Sequence, residues 1–271
     1  MPENLPGGAG VIRSWTAPAR AARAFLTPRR LVVPPALPEP PGGQVIPVPG
    51  FAPHLNVRGW GPAAAPAVLL VHGWERSLYD MVPLVPLLLA QGLRVLAVDA
   101  PAHGRSGGDT ASLIDIARAI SAVVATVGGV AAAVGHSLGA AALVLSMAEG
   151  MDPGRVVLLA PAPAPLPYAL DCARQHGLDA DQTMEMLALL DQAFGCPVAA
   201  LSTAVAAEGL RQPALLIHAL DDRVTPVADS LHLAACWPGA RLHLVEGLGH
   251  NRLLRDPGVL QQVAAFVIGA A

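Results

Sequence analysis

The chain contains no lysine. Its 17 basic residues are all arginine, set against 20 acidic ones, for a formal net charge of −3 and a pI near 6.3. That balance leaves no basic field for nucleic acid. Long apolar runs are also missing: none reaches the ~18–20 residues that a membrane span requires. The nearest, Met81 to Leu89, is short and carries Pro83 and Pro86. Cysteine is scarce. Cys172, Cys196 and Cys236 are odd in number and fit no metal-ligand spacing, so they read as free thiols packed as small hydrophobes. No set of His, Asp, Glu and Cys has ligand spacing, and neither metal nor cofactor is expected. The first residues lack the compact apolar segment of a secretory signal and carry scattered arginines, so a cytoplasmic location is expected.

What is present is core-forming material. Hydrophobic residues make up 53% of 271, enough for one large α/β domain or two small ones. Residues 1–43 read as a proline-rich arm. Ser14 to Leu26 has the spacing of a short amphipathic helix, after which Pro28, Pro34, Pro35, Pro38, Pro40 and Pro41 prevent regular structure. The arm is expected to pack on the domain or stay partly disordered. A membrane-surface or partner-binding helix is the alternative.

From residue 44 the pattern is regular. Gln44 to Val48 and His54 to Arg58 suggest a short antiparallel pair. Ala67 to Val71 is a continuous apolar run suited to a strand buried on both faces, and Arg94 to Val98, Val130 to Val134, Arg155 to Leu159, Ala214 to His218 and Arg241 to Val245 read as further strands. Between them lie helical stretches, Leu78 to Ala90, divided or kinked by its prolines, and Ser112 to Val127 with Ser112 as N-cap and Asp115 at N3. The alternation predicts a mostly parallel sheet covered by helices on both faces. It stops between Leu159 and Ala214, where helical segments (168–175, 181–194, 198–208) predict a small cap over one end of the sheet. The expected division is therefore 1–43 as arm, 44–160 with 212–271 as core, and 161–211 as cap.

One pentapeptide carries the chemistry: Gly135-His136-Ser137-Leu138-Gly139, with an apolar strand before it and a helix-forming stretch after it. Strand, tight turn and helix hold a serine hydroxyl clear of the sheet in a strained backbone, and the glycines remove side chains that would clash. Such a serine reads as a nucleophile for acyl transfer. An alcohol needs a base. His250, after a strand and the loop Glu246-Gly247-Leu248-Gly249, is the best placed of nine histidines. The base needs an acid to fix its tautomer. Asp221 and Asp222 compete for that role at the exit of the strand ending at His218. All these groups fall at the carboxyl ends of parallel strands, where ligands bind in open α/β sheets.

These motifs together resemble the α/β-hydrolase superfamily, in its group of small esterase-like enzymes. The matching residues are His72-Gly73, Asp99 through Ser106, the Gly135–Gly139 elbow, Asp222-Arg223-Val224-Thr225-Pro226 and Gly249-His250. The resemblance implies the α/β-hydrolase fold and a triad of Ser137, His250 and Asp222, with Asp221 as a turn or capping residue. It implies an oxyanion hole from the backbone N–H groups of Leu138 and Trp74. His72, Asp99, His103 and Arg105 are read as bracing their loops, with Gly104 and Ser106 shaping the turn, and His136, His218 and His243 as structural. Glu75 and Arg76 are read either as lining the entrance or as a solvated pair at a helix start. The expected substrate is a small acyl compound, foremost a carboxylic ester, gripped by Trp74, Leu166, Leu170 and Met184. Thioester, lactone, amide, perhydrolysis and carbon–carbon substrates suit the same triad, and a non-catalytic binding protein is the reading from another class. A monomer or homodimer is expected.

Overall fold

A computed structural model describes residues 16–30 and 40–270. Among them, eight strands form one sheet: β1 (Gln44–Val45), β2 (Val57–Trp60), β3 (Ala67–Val71), β4 (Arg94–Val98), β5 (Ala132–His136), β6 (Arg155–Leu159), β7 (Ala214–Ala219) and β8 (Ala240–Val245). Their order is β1-β2-β4-β3-β5-β6-β7-β8. Every pair from β4 through β8 is parallel, and β1 and β2 close one edge antiparallel. The helices are α1 (Ala17–Leu26), α2 (Val85–Leu89), α3 (Leu113–Val127), α4 (Leu138–Ala148), α5 (Leu166–Gln175), α6 (Ala180–Phe194), α7 (Thr203–Ala207), α8 (Val227–Cys236) and α9 (Pro257–Val267). No helix among the described residues is long and apolar enough to cross a membrane.

The unbroken apolar runs of the central strands follow from burial on both faces. In β3, Leu69 and Val71 join one core cluster with Ile116 and Ile120 of α3 and Leu143 of α4. Val68 and Leu70 join the other with Leu88 of α2 and Val263 and Phe266 of α9. Each fully buried leucine contributes roughly 2 kcal/mol of transfer free energy. The helix α4 is apolar all round because it is covered all round, with Gly139 through Met147 buried.

Local signals explain the ends of elements. Ser112 Oγ accepts the Asp115 N–H at 3.1 Å and Asp115 Oδ2 accepts the Ser112 N–H at 2.8 Å, a closed capping box for α3. Pro83 and Pro86 divide the stretch after β3 into two 3₁₀ turns, Leu78–Asp80 and Val82–Leu84, and the short α2. The strand β5 begins two residues later than its apolar run suggests and ends at His136, because Gly135 and His136 still pair with Leu158 and Leu159. Within the amphipathic stretch that precedes the prolines, Ser14 and Trp15 lie outside the described residues, as do Pro34, Pro35 and Pro38. The rest forms α1, which lies against α5 and α6 through the small buried residues Ala19, Ala21 and Ala22, with Leu26 at its end.

Candidate active site

The sheet's winding reverses between β3 and β5, and the chemistry-bearing residues follow the carboxyl ends of the strands around that point. Ser137 follows β5 with φ 53° and ψ −119°, a strained conformation for a residue with a side chain. The two elbow glycines are sterically required. A Cβ on Gly135 would fall 2.7 Å from Ala140 Cα, and one on Gly139 would fall 2.3 Å from the His72 carbonyl oxygen. The turn is held by Ser137 N–H donating to Leu159 O at 2.9 Å.

After β8, the loop carries His250 to the same rim. Its Nδ1 donates to Asp222 Oδ2 at 2.7 Å, which leaves Nε2 as the free acceptor of a neutral ring. Asp222, after β7, is thoroughly engaged. Its Oδ1 accepts the N–H groups of Val224 at 2.7 Å and Thr225 at 3.0 Å, and its Oδ2 also accepts the Thr225 hydroxyl at 2.9 Å. Burial opposes its ionisation. The hydrogen bonds from His218, His250, Val224 and Thr225 outweigh that and hold the carboxyl well below the usual range. Asp221 does something different: exposed, it accepts the Gly249 N–H at 3.1 Å and so ties down the loop that bears His250.

Two supports of this pair carry no sequence signal of their own. His218 Nε2 lies 3.2 Å from Asp222 Oδ2 and 3.0 Å from Thr225 O, both acceptors, so that nitrogen carries the proton. Thr225 Oγ1 stands 3.2 Å from His250 Nδ1. His136, inside the elbow, donates Nε2–H to the His250 carbonyl at 3.0 Å and lies ring to ring with His250, centroids 4.7 Å apart. Burial, then the neighbouring His250, pushes the His136 ring down to about 3, so it stays neutral.

The loop after β3 is braced by its own side chains. His72 Nε2 accepts the Ala100 N–H at 3.0 Å, which assigns the proton to Nδ1, and Nδ1–H donates to Gly73 O at 2.7 Å. Asp99 accepts from the N–H groups of Leu78 and Arg105 and from Asn56 Nδ2, and a Cβ on Gly104 would collide with its carboxyl at 2.3 Å. Next to Trp74, Glu75 has φ 55°. Its carboxylate accepts the Arg29 backbone N–H and Nε at 3.1 Å and Nη2 at 2.9 Å. Arg30 donates to the carbonyls of Gly104, Ser106 and Gly108. The arm is thereby latched over the two loops at the site.

Ser137, His250, Trp74 and Leu138 line one cavity of about 560 Å³, with Asp222 behind His250. The hydrogen bonds of the His250 ring run through Nδ1, to Asp222 and Thr225, and among the described residues none joins it to Ser137 Oγ; groups that exchange a proton often close to hydrogen-bond distance only with a ligand present. Leu166, Leu170 and Met184, expected to grip the acyl group, are not among the residues that line this cavity. The helix α5 turns Ala169 and Ala173 inward and leaves Leu170 38% exposed. The helix α6 buries Met186, Leu190 and Phe194, and Met184, two residues from Met186 on a 3.6-residue helix, faces out at 66%. Leu166 packs into the core at the start of α5. The wall comes instead from Pro165, Tyr168 and Phe194 on this segment and from Ala24, Phe25 and Arg29 on the N-terminal arm.

Comparison with known proteins agrees with this architecture. The chain is 27% identical to a non-heme chloroperoxidase of Streptomyces lividans over 79% of this chain and 96% of that one. It is 29% identical to a pyrethroid hydrolase of Sphingobium wenxiniae, over 64% and 76% of the two chains. Its fold matches an esterase of Pyrococcus furiosus with a TM-score of 0.66 at 20% identity, over 90% of this chain and 98% of that one. The family model described as the alpha/beta hydrolase family matches residues 68–262, and the chain belongs to that family.

Proposed function

We propose that this protein is a serine hydrolase that cleaves carboxylic esters through Ser137, His250 and Asp222. One observation carries the reading: the 2.7 Å hydrogen bond from His250 to Asp222 at the rim of the cavity where Ser137 stands on its strained turn. Ser137 Oγ attacks the ester carbonyl while His250 Nε2 takes its proton, and Asp222 stabilises the imidazolium. The N–H groups of Leu138 and Trp74 receive the oxyanion, each such donor worth on the order of 3 kcal/mol of the barrier. His250 returns the proton to the leaving alcohol. Water, activated by the same ring, then opens the acyl-enzyme and releases the acid. The helical segment 161–211 acts as a cap, and together with the arm it shapes the acyl pocket.

The pyrethroid hydrolase likeness supports the ester reading. The chloroperoxidase likeness supports a second one, in which hydrogen peroxide instead of water opens the same acyl-enzyme and a peracid leaves. A panel of p-nitrophenyl esters of increasing chain length, run with and without peroxide, tests both. Ser137→Ala is expected to lower ester turnover by several orders of magnitude with the fold intact. A variant retaining near-native turnover would remove Ser137 from the mechanism.

A further inference from the structure

The cavity is unevenly charged. Most of its wall is apolar, and three lining residues carry formal charge: Arg29, Glu75 and Arg76. Arg29 and Glu75 satisfy each other through the contacts given above. The hydrogen bond to Arg29 holds the Glu75 carboxyl below its ordinary value. The other titratable groups in the wall do not supply a counter-charge: His136 is a neutral ring, and burial pushes the Tyr168 phenol up to about 12. Arg76 is left over. Half-buried, it has no ion-pair or hydrogen-bond partner for its guanidinium among the described residues.

The Glu75 carboxylate also attracts Arg76, but one carboxylate between two arginines leaves this group of charges one positive unit in excess, and a guanidinium beside an apolar wall recovers desolvation free energy when a further anion arrives. Its planar fork of donors matches a carboxylate in a two-point contact. We propose that the substrate of this site is an ester that also bears a carboxylate, and that Arg76 receives that carboxylate while the ester carbonyl lies at Ser137. The proposal rests on the hydrolase reading and narrows it to anionic esters. Arg76 is then a specificity residue. It lies two positions beyond Trp74, so the loop that offers the oxyanion donor also offers the anion receptor.

The test is a ratio. Rates (kcat/KM, spontaneous hydrolysis subtracted) are measured for two matched pairs of esters: mono-p-nitrophenyl adipate against p-nitrophenyl heptanoate, and para-acetoxybenzoate against phenyl acetate. The first pair carries the carboxylate on the acyl half, the second on the alcohol half. In at least one pair the native protein should favour the anionic ester by about tenfold or more, the yield of one charge-assisted contact. Arg76→Gln should abolish most of that preference, and raised salt should erode it. General damage to the site lowers both rates and leaves the ratio alone, so the ratio reports Arg76 itself. Neutral esters favoured in both pairs, or a preference that survives Arg76→Gln, would overturn the proposal while leaving the hydrolase reading intact. No hydrolysis of any of the four, together with no reaction of Ser137 with a fluorophosphonate, would overturn both.

Discussion

Replacing Asp222 by asparagine isolates what the buried carboxylate does for His250. The side chain is 0% exposed, and all five of its close partners donate. An asparagine has one oxygen and one amide nitrogen. If the oxygen stays with the N–H groups of Val224 and Thr225, the amide N–H₂ meets His250 Nδ1, Thr225 Oγ1 and the proton on His218 Nε2. Donor then faces donor. His250 can escape only by moving its proton to Nε2, where it can no longer accept from Ser137. Flipping the amide turns the same conflict on the two backbone N–H groups. A fixed wrong tautomer costs on the order of 10⁴ in turnover, or about 5.5 kcal/mol of barrier at 1.36 kcal/mol per decade. Asp221→Asn is the control. Its side chain is 44% exposed, and an asparagine oxygen can still accept the Gly249 N–H, so turnover should stay within about threefold, the scale of a weak exposed contact. Both variants are assayed on the best p-nitrophenyl ester, with circular-dichroism melts to check the fold. Equal losses, or a larger loss at Asp221, would show that Asp222 is not the acid that orients His250.

Two other expectations concern the wall and the buried rings. Phe25→Ala opens the cavity from the arm side and should move the preferred acyl chain to longer esters; an unchanged chain-length profile would mean that α1 does not bound the acyl group. His103 and His136 are each pushed down to about 3, chiefly by burial, from an ordinary 6.5. Between those values the unfolded chain binds protons that the folded chain excludes, so stability should fall as pH drops through that window. At pH 5 each ring costs about 2 kcal/mol, whereas Asp222, with its low value, acts only below about pH 4. Melts of His103→Gln against the native protein at pH 7 and pH 5 should show a smaller acid loss in the variant; identical losses would contradict this.

The parts of this structure legible from sequence are those with a strong local cause. Ala67–Val71, Arg94–Val98 and Arg155–Leu159 are strands at the expected residues because apolar runs between turn residues leave little choice. The elbow was legible because only glycine fits at 135 and 139. Which aspartate meets His250 was legible only through the Asp222-x-Val224-x-Pro226 pattern, since the two carboxyls are adjacent and chemically alike. The cavity wall was not legible. Leu170 and Met184 have the right chemistry, but which face of a short helix turns inward depends on what docks against it, and here the docking partner is α1 from the far end of the chain. For the same reason Phe25, Arg29 and the His218 contact to Asp222 leave no trace in the local pattern.

An activated nucleophile at Ser137 is what the proposed mechanism requires above all. Labelling with a fluorophosphonate probe, located by peptide mass spectrometry, tests it directly. Stoichiometric modification at Ser137 is expected, abolished in Ser137→Ala and strongly slowed in Asp222→Asn. A folded protein that stays unlabelled, or is labelled at another residue, would contradict it.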